Sequence, residues 1–302
     1  MADVSTGGDT RRVEGHMIDE YFLRRPYKGD GSYKLADGSV NPKGGPRDGM
    51  IRTKADLDWV AAMMAAGYTF NNNLKNIGSN GSNLWYGDLI MDDVNGDGKY
   101  GNDDDREFTG KSSTPKVTLG LNITAAWRGF DLNMTWSGRF GGYHYLNSKG
   151  ANGSMITNVG DALPGDAWNK FYFYDSEASH AGIIKDENGT IIGSSYDPAT
   201  DPNANISNEY PRLLTSGGTT PSNTFYLYNT SFFKLKSLQI GYTLPKKWIA
   251  PAKISNLRVF VSGENLLTIK SSRFPGVDPE LGSSLAVYPI ARMFSGGLSV
   301  TF

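Results

Sequence analysis

The chain has 302 residues, with 30 Lys and Arg against 31 Asp and Glu, and therefore a formal net charge of −1 at pH 7. This balance excludes the basic excess that is typical of nucleic-acid-binding domains, so we expect no nucleic-acid partner. There is no cysteine, which excludes disulfides, cysteine-ligated zinc, iron–sulfur clusters and thiol nucleophiles.

The first predicted element is a helix within an N-terminal region that is otherwise rich in Gly and Asp. The whole chain contains 37 glycines and 12% aromatic residues, which favours β structure with long loops over helical bundles. Thr53 and Asp56 stand in a capping-box-like pattern, and apolar side chains then recur until Gly67. We therefore expect residues 1–115 to form a loop region that contains one short helix.

A β-hairpin is predicted over residues 116–145. The side chains at odd positions from Val117 to Trp127 are apolar, and those between them are small or polar. After the two-residue turn Arg128-Gly129, the same alternation continues from Phe130. Period-two alternation on both sides of a short turn predicts two paired strands with one apolar and one polar face.

Three further strands are predicted within residues 230–302, after a long polar segment at 146–229. In the first of these strands the alternation changes phase near Ser237, which indicates a β-bulge. The alternating segments run from Phe233 to Leu244, from Leu257 to Glu264 and from Phe294 to Phe302. The connections between the predicted strands are therefore short, long, short and long in turn.

The five two-faced strands leave two architectures open. A soluble β-sandwich would bury the apolar faces between two sheets, whereas an outer-membrane barrel would turn them towards lipid. The alternation of short and long connections favours the barrel, as does the aromatic pair Trp127 and Phe130 beside a tight turn. Five strands cannot close a membrane barrel, since the smallest use about eight. We therefore expect further strands outside this chain.

An acidic loop is the strongest candidate for a metal site. Oxygen-bearing side chains at loop positions 1, 3 and 5, followed by Gly98 at position 6, are the pattern of a calcium loop. A main-chain carbonyl would contribute at position 7, and one of two adjacent Asp residues would close the loop. The predicted ligands of a structural Ca²⁺ ion are Asp93, Asn95, Asp97, Lys99 and either Asp104 or Asp105. The alternative is a solvated acidic turn.

Aromatic side chains are weaker candidates for substrate binding. Tyr143, Tyr145, Trp168 and Tyr172 could stack on sugar rings, although the cluster around Tyr172 could equally form a small core of its own loop or contact a partner. Acidic residues in the long polar segment lack the fixed separation of glycosidase carboxylates. The histidines lack metal-type spacing, and there is neither a phosphate-binding loop nor a serine-nucleophile motif. We therefore expect no enzymatic activity.

Seven short motifs in the chain carry a family resemblance. They are Gly87-Asp88-Leu89-Ile90, Asp93-Val94-Asn95-Gly96-Asp97-Gly98-Lys99, Lys116-Val117-Thr118-Leu119-Gly120-Leu121-Asn122, Arg128-Gly129-Phe130-Asp131-Leu132, Phe233-Lys234-Leu235-Lys236-Ser237-Leu238-Gln239-Ile240-Gly241-Tyr242-Thr243-Leu244-Pro245, Val261-Ser262-Gly263-Glu264-Asn265-Leu266-Leu267-Thr268 and Pro275-Gly276-Val277-Asp278-Pro279-Glu280. Together they resemble the C-terminal part of SusC/RagA-family (SusC-like) TonB-dependent outer-membrane transporters. The resemblance covers roughly residues 75–145 and 225–302.

The resemblance implies an all-β fold, in which the chain supplies the C-terminal strands of a transmembrane β-barrel of about 22 strands. The barrel strands would be the hairpin 116–145 and the last three strands within 230–302. Residues 1–115 and 146–229 would be long extracellular loops. The plug domain that fills such a barrel, and through which TonB acts, would be absent from this chain. The protein would lie in the outer membrane of a Gram-negative bacterium, in contact with its lipid.

The resemblance also implies a function. Family members import glycans or oligopeptides, driven through TonB, together with a SusD-like surface lipoprotein. Polar side chains of the hairpin would line the path, namely those of Asn122, Thr124, Asn133 and Thr135. The terminal Phe302 resembles the signal that the barrel-assembly machinery reads. The alternative from the residues alone is a secreted, calcium-stabilised β-sandwich that binds glycans.

Overall fold

The computed structural model describes residues 10–11, 13–17, 19–145, 170–207, 209–212, 220–274, 278–281 and 290–302. In these ranges the chain is mainly β-stranded with few helices, as predicted, and it divides into two compact units. The first unit comprises Met1–His16, Glu20–Gly110 and Leu146–Leu227, and the second comprises Met17–Asp19, Lys111–Tyr145 and Tyr228–Phe302.

Most of the first unit is built from short elements, whereas long strands dominate the second. The strands are β1 (Thr10–Arg11), β2 (Glu20–Leu23), β3 (Thr69–Phe70), β4 (Lys99–Tyr100), β5 (Glu107–Ser112), β6 (Val117–Trp127), β7 (Phe130–Phe140), β8 (Tyr143–Tyr145), β9 (Ile183–Lys185), β10 (Ile191–Ser194), β11 (Leu227–Asn229), β12 (Phe232–Thr243), β13 (Asn256–Lys270) and β14 (Met293–Thr301). The α-helices are α1 (Lys54–Ala65), α2 (Ser176–Ala181) and α3 (Lys246–Ile249). None of the helices within the described ranges has the length and apolar character needed to cross a bilayer.

Helix α1 confirms the predicted helix and its cap. Thr53 Oγ1 accepts a hydrogen bond from the main-chain N–H of Asp56, and Asp56 Oδ2 accepts one from the N–H of Thr53 at 2.9 Å. This reciprocal arrangement satisfies main-chain donors that a helix start otherwise leaves unpaired. The helix buries Leu57, Trp59, Val60 and Met63, so its position is fixed by packing as well as by its cap.

The core of the first unit is rich in aromatic side chains whose polar atoms are satisfied. Trp59 Nε1 donates to the carbonyl of Asn41 at 2.8 Å, and Trp85 Nε1 donates to Ser179 Oγ at 2.8 Å. Tyr172 from the later segment is buried in the same core. Residues 20–110 and the described residues 170–207 and 209–212, which are predicted as parts of separate loops, therefore share one hydrophobic core.

A buried ion pair also joins these two segments. Arg212 Nε donates to Asp88 Oδ1 at 2.7 Å and its Nη2 donates to Asp88 Oδ2 at 2.8 Å, while both side chains are almost fully buried. Burial alone would lower the pKa of Arg212, but Asp88 and the hydroxyl of Tyr174 raise it above its ordinary value. The guanidinium therefore stays charged inside the unit, where its carboxylate partner compensates it.

The second unit is organised around a five-stranded antiparallel sheet with the strand order β6-β7-β12-β13-β14. Each strand pairs with the next of these five along the chain, so the sheet is a meander. The predicted alternating segments are confirmed as strands, and β13 extends beyond its predicted end to Lys270. Arg128 and Gly129 both have positive φ, at 47° and 90°, as the tightest hairpin turns require.

The register places the predicted apolar side chains of all five strands on one face. One cross-strand row consists of Ile123, Met134, Leu238, Gly263 and Phe294. The adjacent row on the same face consists of Ala125, Leu132, Ile240, Val261 and Gly296. Between them, on the opposite face, lies a polar row that consists of Thr124, Asn133, Gln239, Ser262 and Ser295. We call the two sides the apolar face and the polar face.

The predicted bulge maintains this division of the faces. The register of β12 shifts between Leu235 and Ser237 in its pairing with both β7 and β13. Since side chains alternate along a strand, a slip of one residue exchanges its faces. The bulge at Lys236 therefore keeps Leu235 on the apolar face together with Leu238, although the two residues are an odd number of positions apart.

The apolar face is not covered by the described parts of the chain. Every residue of β6 is exposed, and large apolar side chains remain accessible across the sheet, with Leu121 at 44%, Val261 at 60% and Phe294 at 78% exposure. Soluble monomers rarely expose a contiguous apolar surface that spans several strands. The apolar face is therefore suited to contact with an apolar environment or with the surface of another molecule.

Candidate functional site

The acidic loop predicted as a calcium site is folded around Asp93. Its Oδ1 accepts from the main-chain N–H of Gly96 at 2.7 Å and of Asp97 at 3.2 Å, and its Oδ2 accepts from that of Gly98 at 2.9 Å. Asn95 Oδ1 accepts from the N–H of Asp97 at 3.0 Å. The predicted spacing of these side chains thus produces a series of side-chain-to-main-chain turns.

Asp105 supports the loop from within the first unit. It is fully buried, and its carboxylate accepts from the main-chain N–H groups of Val94 at 2.7 Å, Gly101 at 2.8 Å and Asn102 at 3.0 Å. Burial raises the pKa of Asp105, although these hydrogen bonds act in the opposite direction. Asp104 has an exposed side chain. Of the two residues predicted to close a calcium loop, Asp104 therefore has the accessible carboxylate.

Asp97 and Lys99 stand at the open side of the loop. Asp97 Oδ1 accepts from the N–H of Lys99 at 2.8 Å, and its Oδ2 lies 3.6 Å from Lys99 Nζ. Burial opposes the charge of Asp97, but these interactions outweigh it and lower the pKa of its carboxyl. Among the described residues, no three carboxylate or imidazole groups converge as a metal-binding group. The donor types fit Ca²⁺, which would compete with hydrogen bonds already present, and the calcium site stays a prediction.

The polar face of the sheet brings together the hairpin residues that are predicted to line a transport path. Asn122 lies opposite Thr135, and Thr124 lies opposite Asn133. On the same face, Arg258 of β13 forms two hydrogen bonds with Asp131 of β7, at 2.9 Å through Nε and at 2.5 Å through Nη2. The polar face therefore carries hydrogen-bonding and charged groups across several strands.

An ion-pair cluster on this face was not predicted. Lys234 of β12 is 1% exposed, and its Nζ lies 2.5 Å from Asp278 Oδ2 and 3.2 Å from Glu280 Oε2. Lys236 Nζ lies 2.5 Å from Glu280 Oε1. We call these four residues the lysine latch, because they join the segment 278–281 to β12.

The charged residues of the lysine latch are visible in the sequence, but no local pattern predicts that they pair with each other. Lys234 and Lys236 lie within an otherwise alternating strand, and Asp278 and Glu280 follow these lysines by more than 40 positions. Charge pairing over such a separation depends on where the connection folds back. Burial raises and the two lysines lower the pKa of Glu280, and the net effect is a lowered value.

The predicted aromatic site residues are not brought together. Tyr143 and Tyr145 are half-buried in β8, which pairs with β11, and Lys111 Nζ lies 5.1 Å from the centre of the Tyr143 ring. Tyr172 is 1% exposed, and its hydroxyl donates to the carbonyl of Arg52 at 2.7 Å. The Tyr172 ring is thus buried in the core of the first unit together with residues of the earlier segment, and not in a separate core of its own loop, which leaves it no open surface for stacking. Trp168 lies outside the described residues.

Phe302 follows β14 with its side chain 87% exposed. Its role as an assembly signal stays a prediction.

The chain is similar to two curated receptors. It is 26% identical over 235 residues to TonB-dependent receptor P3 of Formosa agariphila, which covers 72% of this chain and 19% of that protein. It is 27% identical over 137 residues to TonB-dependent receptor SusC of Bacteroides thetaiotaomicron, which covers 44% of this chain and 13% of that protein. The chain thus spans about a fifth or less of the length of these relatives. No protein-family model matches it.

A solved structure shows the same fold. The RagAB peptide transporter superposes with a TM-score of 0.52 at 18% identity, over 98% of this chain and 25% of that chain. Together with the two receptors, this match confirms the resemblance that the sequence motifs carry.

Proposed function

We propose that this SusC-like chain forms part of the wall of a TonB-dependent nutrient importer in the outer membrane of a Gram-negative bacterium. Its apolar face would contact lipid, and its polar face would line the lumen. The remaining strands of a closed barrel of about 22 strands, and the plug that TonB acts on, would come from outside this chain.

The observation that carries this proposal is the exposed apolar face. Five antiparallel strands in one register present apolar side chains to the outside, as an outer-membrane barrel wall requires. A β-sandwich would instead bury that face against a second sheet. Since the described residues leave the face open, the barrel is favoured over the secreted sandwich.

The relatives support nutrient import as the general function. Receptors named SusC and TonB-dependent receptor P3, and a peptide transporter of the same fold, support import and not catalysis. We propose glycans or oligopeptides as the cargo class and a SusD-like surface lipoprotein as the partner. The polar face with Asn122, Thr124, Asn133 and Thr135 offers the hydrogen-bonding groups that both kinds of cargo need.

We propose in addition that the acidic loop binds a structural Ca²⁺ ion. Asp93, Asn95 and Asp97 would supply side-chain oxygens, Lys99 its carbonyl and Asp104 the closing carboxylate. The ion would fix the loop and take no part in transport.

Cysteine accessibility tests the assignment of the faces, because the chain has no cysteine of its own. Leu121→Cys and Ile123→Cys form the lipid-facing pair, and Asn122→Cys and Thr124→Cys form the matched lumen-facing pair on the same strand. In intact outer membranes, a small hydrophilic maleimide should label the lumen-facing pair and leave the lipid-facing pair unmodified. Equal labelling at all four positions would contradict the assignment of the two faces.

A further inference from the structure

The β6–β7 turn and the β12–β13 connection lie at the same end of the sheet, which we call the short-turn end. This end carries a surface that the proposed transport does not use. The turn after β6 and the connection after β12 meet there, since the main-chain N–H of Thr243 donates to the carbonyl of Gly129 at 2.7 Å. We call the exposed side chains of these two connections the basic turn surface. It consists of Trp127, Arg128, Lys246, Lys247, Trp248 and Lys253.

The two connections that carry the basic turn surface contain no acidic side chain of their own. Neither residues 126–130 nor residues 244–257 contain an Asp or Glu. The acidic residue that follows the first turn, Asp131, is engaged by Arg258. Within the described part of the chain, none of the four cations of this surface forms an ion pair. The surface therefore presents four exposed positive charges, which favour the approach of an external anion.

Two indole rings accompany these cations. Trp248 is 62% exposed although its neighbour Ile249 is buried, so α3 turns its largest side chain outwards. Trp127 is 68% exposed, and the guanidinium of Arg128 lies 4.9 Å from the centre of its ring. Tryptophan favours the boundary between hydrocarbon and water, while clustered Lys and Arg favour anionic headgroups.

The basic turn surface is continuous with the apolar face. Trp127 and Phe130 pair with each other at the end of β6 and β7, and the same row continues through Tyr242, Val259 and Leu298. A partner of this surface would therefore border whatever covers the apolar face. A bilayer meets the requirements of both surfaces. Its hydrocarbon would contact the apolar face along the strands, and its charged headgroups would contact the basic turn surface at their end.

We propose that the basic turn surface binds the headgroups of anionic phospholipids in the leaflet that borders the short-turn end of the sheet. The proposal rests on the proposed membrane location of the apolar face. Trp248 would lie at the level of the headgroups, and Lys246 and Lys247 would hold their phosphates. Each lysine close to such a surface strengthens binding by about fivefold.

Quenching by brominated lipids tests the proposal in the complete receptor that contains this chain. The receptor is placed in nanodiscs of phosphatidylcholine that contain either brominated phosphatidylcholine or brominated phosphatidylglycerol, with bromine close to the headgroup. The fluorescence difference between the unmodified receptor and Trp248→Phe isolates Trp248. We expect Trp248 to be quenched more by the anionic lipid, and the double variant Lys246→Gln with Lys247→Gln to lose this preference. Lys116→Gln, at the opposite end of β6, is the matched control and should keep it.

The possible results separate this proposal from the proposed function. Equal quenching of Trp248 by both lipids, or a preference that survives in the double variant, would overturn the headgroup site and leave the membrane location intact. Quenching of other tryptophans but not of Trp248 would also overturn it, because the surface would then face water and a soluble partner. Absence of quenching at every tryptophan would overturn the membrane location itself, and the headgroup site with it.

Discussion

Gly87 is the residue at which the packing of the first unit leaves no room for a side chain. Its φ is 81°, in the left-handed region. A Cβ atom there would lie 2.5 Å from Tyr172 Cδ1 and 2.8 Å from Arg212 Cβ. Both contacts belong to the later segment of the unit. The requirement for glycine therefore comes from the backbone conformation and from the close approach of two distant parts of the chain.

We expect Gly87→Ala to destabilise the first unit by about 1–3 kcal/mol through overpacking, beyond the left-handed strain. Gly189→Ala is the matched control, because Gly189 has the same φ of 81° but no atom within 4 Å of the place where its methyl group would lie. Gly189→Ala should be destabilised by the left-handed backbone strain alone, by about 1 kcal/mol. Chemical denaturation followed by the fluorescence of the buried tryptophans measures both. Equal losses in the two variants would refute the close packing.

The two faces of β6 differ at neighbouring residues. We expect Leu121→Arg to cost about 2–4 kcal/mol of folding free energy near the bilayer midplane, since it places a charge in hydrocarbon. Asn122→Arg should be far milder, because its side chain lies on the polar face. Assembly into outer membranes, measured as folded barrel per total receptor, compares the two variants. The assignment fails if both positions tolerate arginine equally.

At the scale of elements, the acidic loop predicts a calcium-dependent stability. Ca²⁺ at 100 times its dissociation constant should stabilise the folded chain by about 2.7 kcal/mol, and Asp93→Ala should abolish this gain. Asp37→Ala is the matched control, because Asp37 Oδ1 also accepts from a main-chain N–H, that of Ser39 at 3.0 Å, but lies outside the acidic loop. Thermal unfolding with and without Ca²⁺ provides the measurement. A calcium-induced shift that persists in Asp93→Ala would rule out this site.

The lysine latch also predicts how substitutions change the free energy of unfolding. Asp278→Asn leaves the buried Lys234 without its nearest anion, and losing one partner of a buried pair costs about 3–5 kcal/mol. Glu280 at 3.2 Å compensates in part, so we expect the lower end of that range. Combining Asp278→Asn with Lys234→Met should recover much of the loss, because no buried charge is then left unpaired. Unfolding in urea compares the variants, and a double variant as unstable as the single one would contradict the latch.

Acid should release the same connection. The pKa of Glu280 is lowered from its ordinary 4.5, so its stabilising charge is fully present above that value and is lost as the pH falls through the lowered pKa. Hydrogen exchange at residues 278–281 should therefore accelerate in acid relative to the neighbouring strand. In Lys236→Met the acceleration should begin at a higher pH. An exchange rate that follows β12 at every pH would argue against a charge-held connection.

At the scale of the whole molecule, the sequence predicts the sheet well and the first unit poorly. Period-two alternation determines which face each side chain of β6 and β7 occupies, and the phase change near Ser237 locates the bulge. Tyr172 and Arg212 follow no such period, because they meet residues more than 80 positions earlier. Their partners depend on the folded chain, and no local pattern of polarity records them. The acidic loop lies between these cases, since its spacing predicts its turns but not whether Asp104 or Asp105 closes it.

The hydrogen exchange of the two edge strands should depend on whether neighbouring strands pair with them. Strands β6 and β14 are each paired on one side within the described residues, and unpaired main-chain groups do not occur in hydrocarbon. We expect the amides of β6 to exchange as slowly as those of β7 in the membrane-embedded receptor, but much faster in the isolated chain. Hydrogen exchange with mass spectrometry resolves the two strands. Fast exchange of β6 in the membrane would contradict a continuing barrel.

The ion pair between Arg212 and Asp88 joins residues 124 positions apart, which constrains how the protein can be made. The early half of that core leaves the ribosome before its later half exists. At about 5–20 residues per second, the interval is about 6–25 s. Throughout this interval the aromatic side chains around Trp85 lack the residues that later cover them. We therefore expect the nascent chain to expose this apolar surface until the later half is made, and a product that ends between the two halves to aggregate and to be cleaved by proteases more readily.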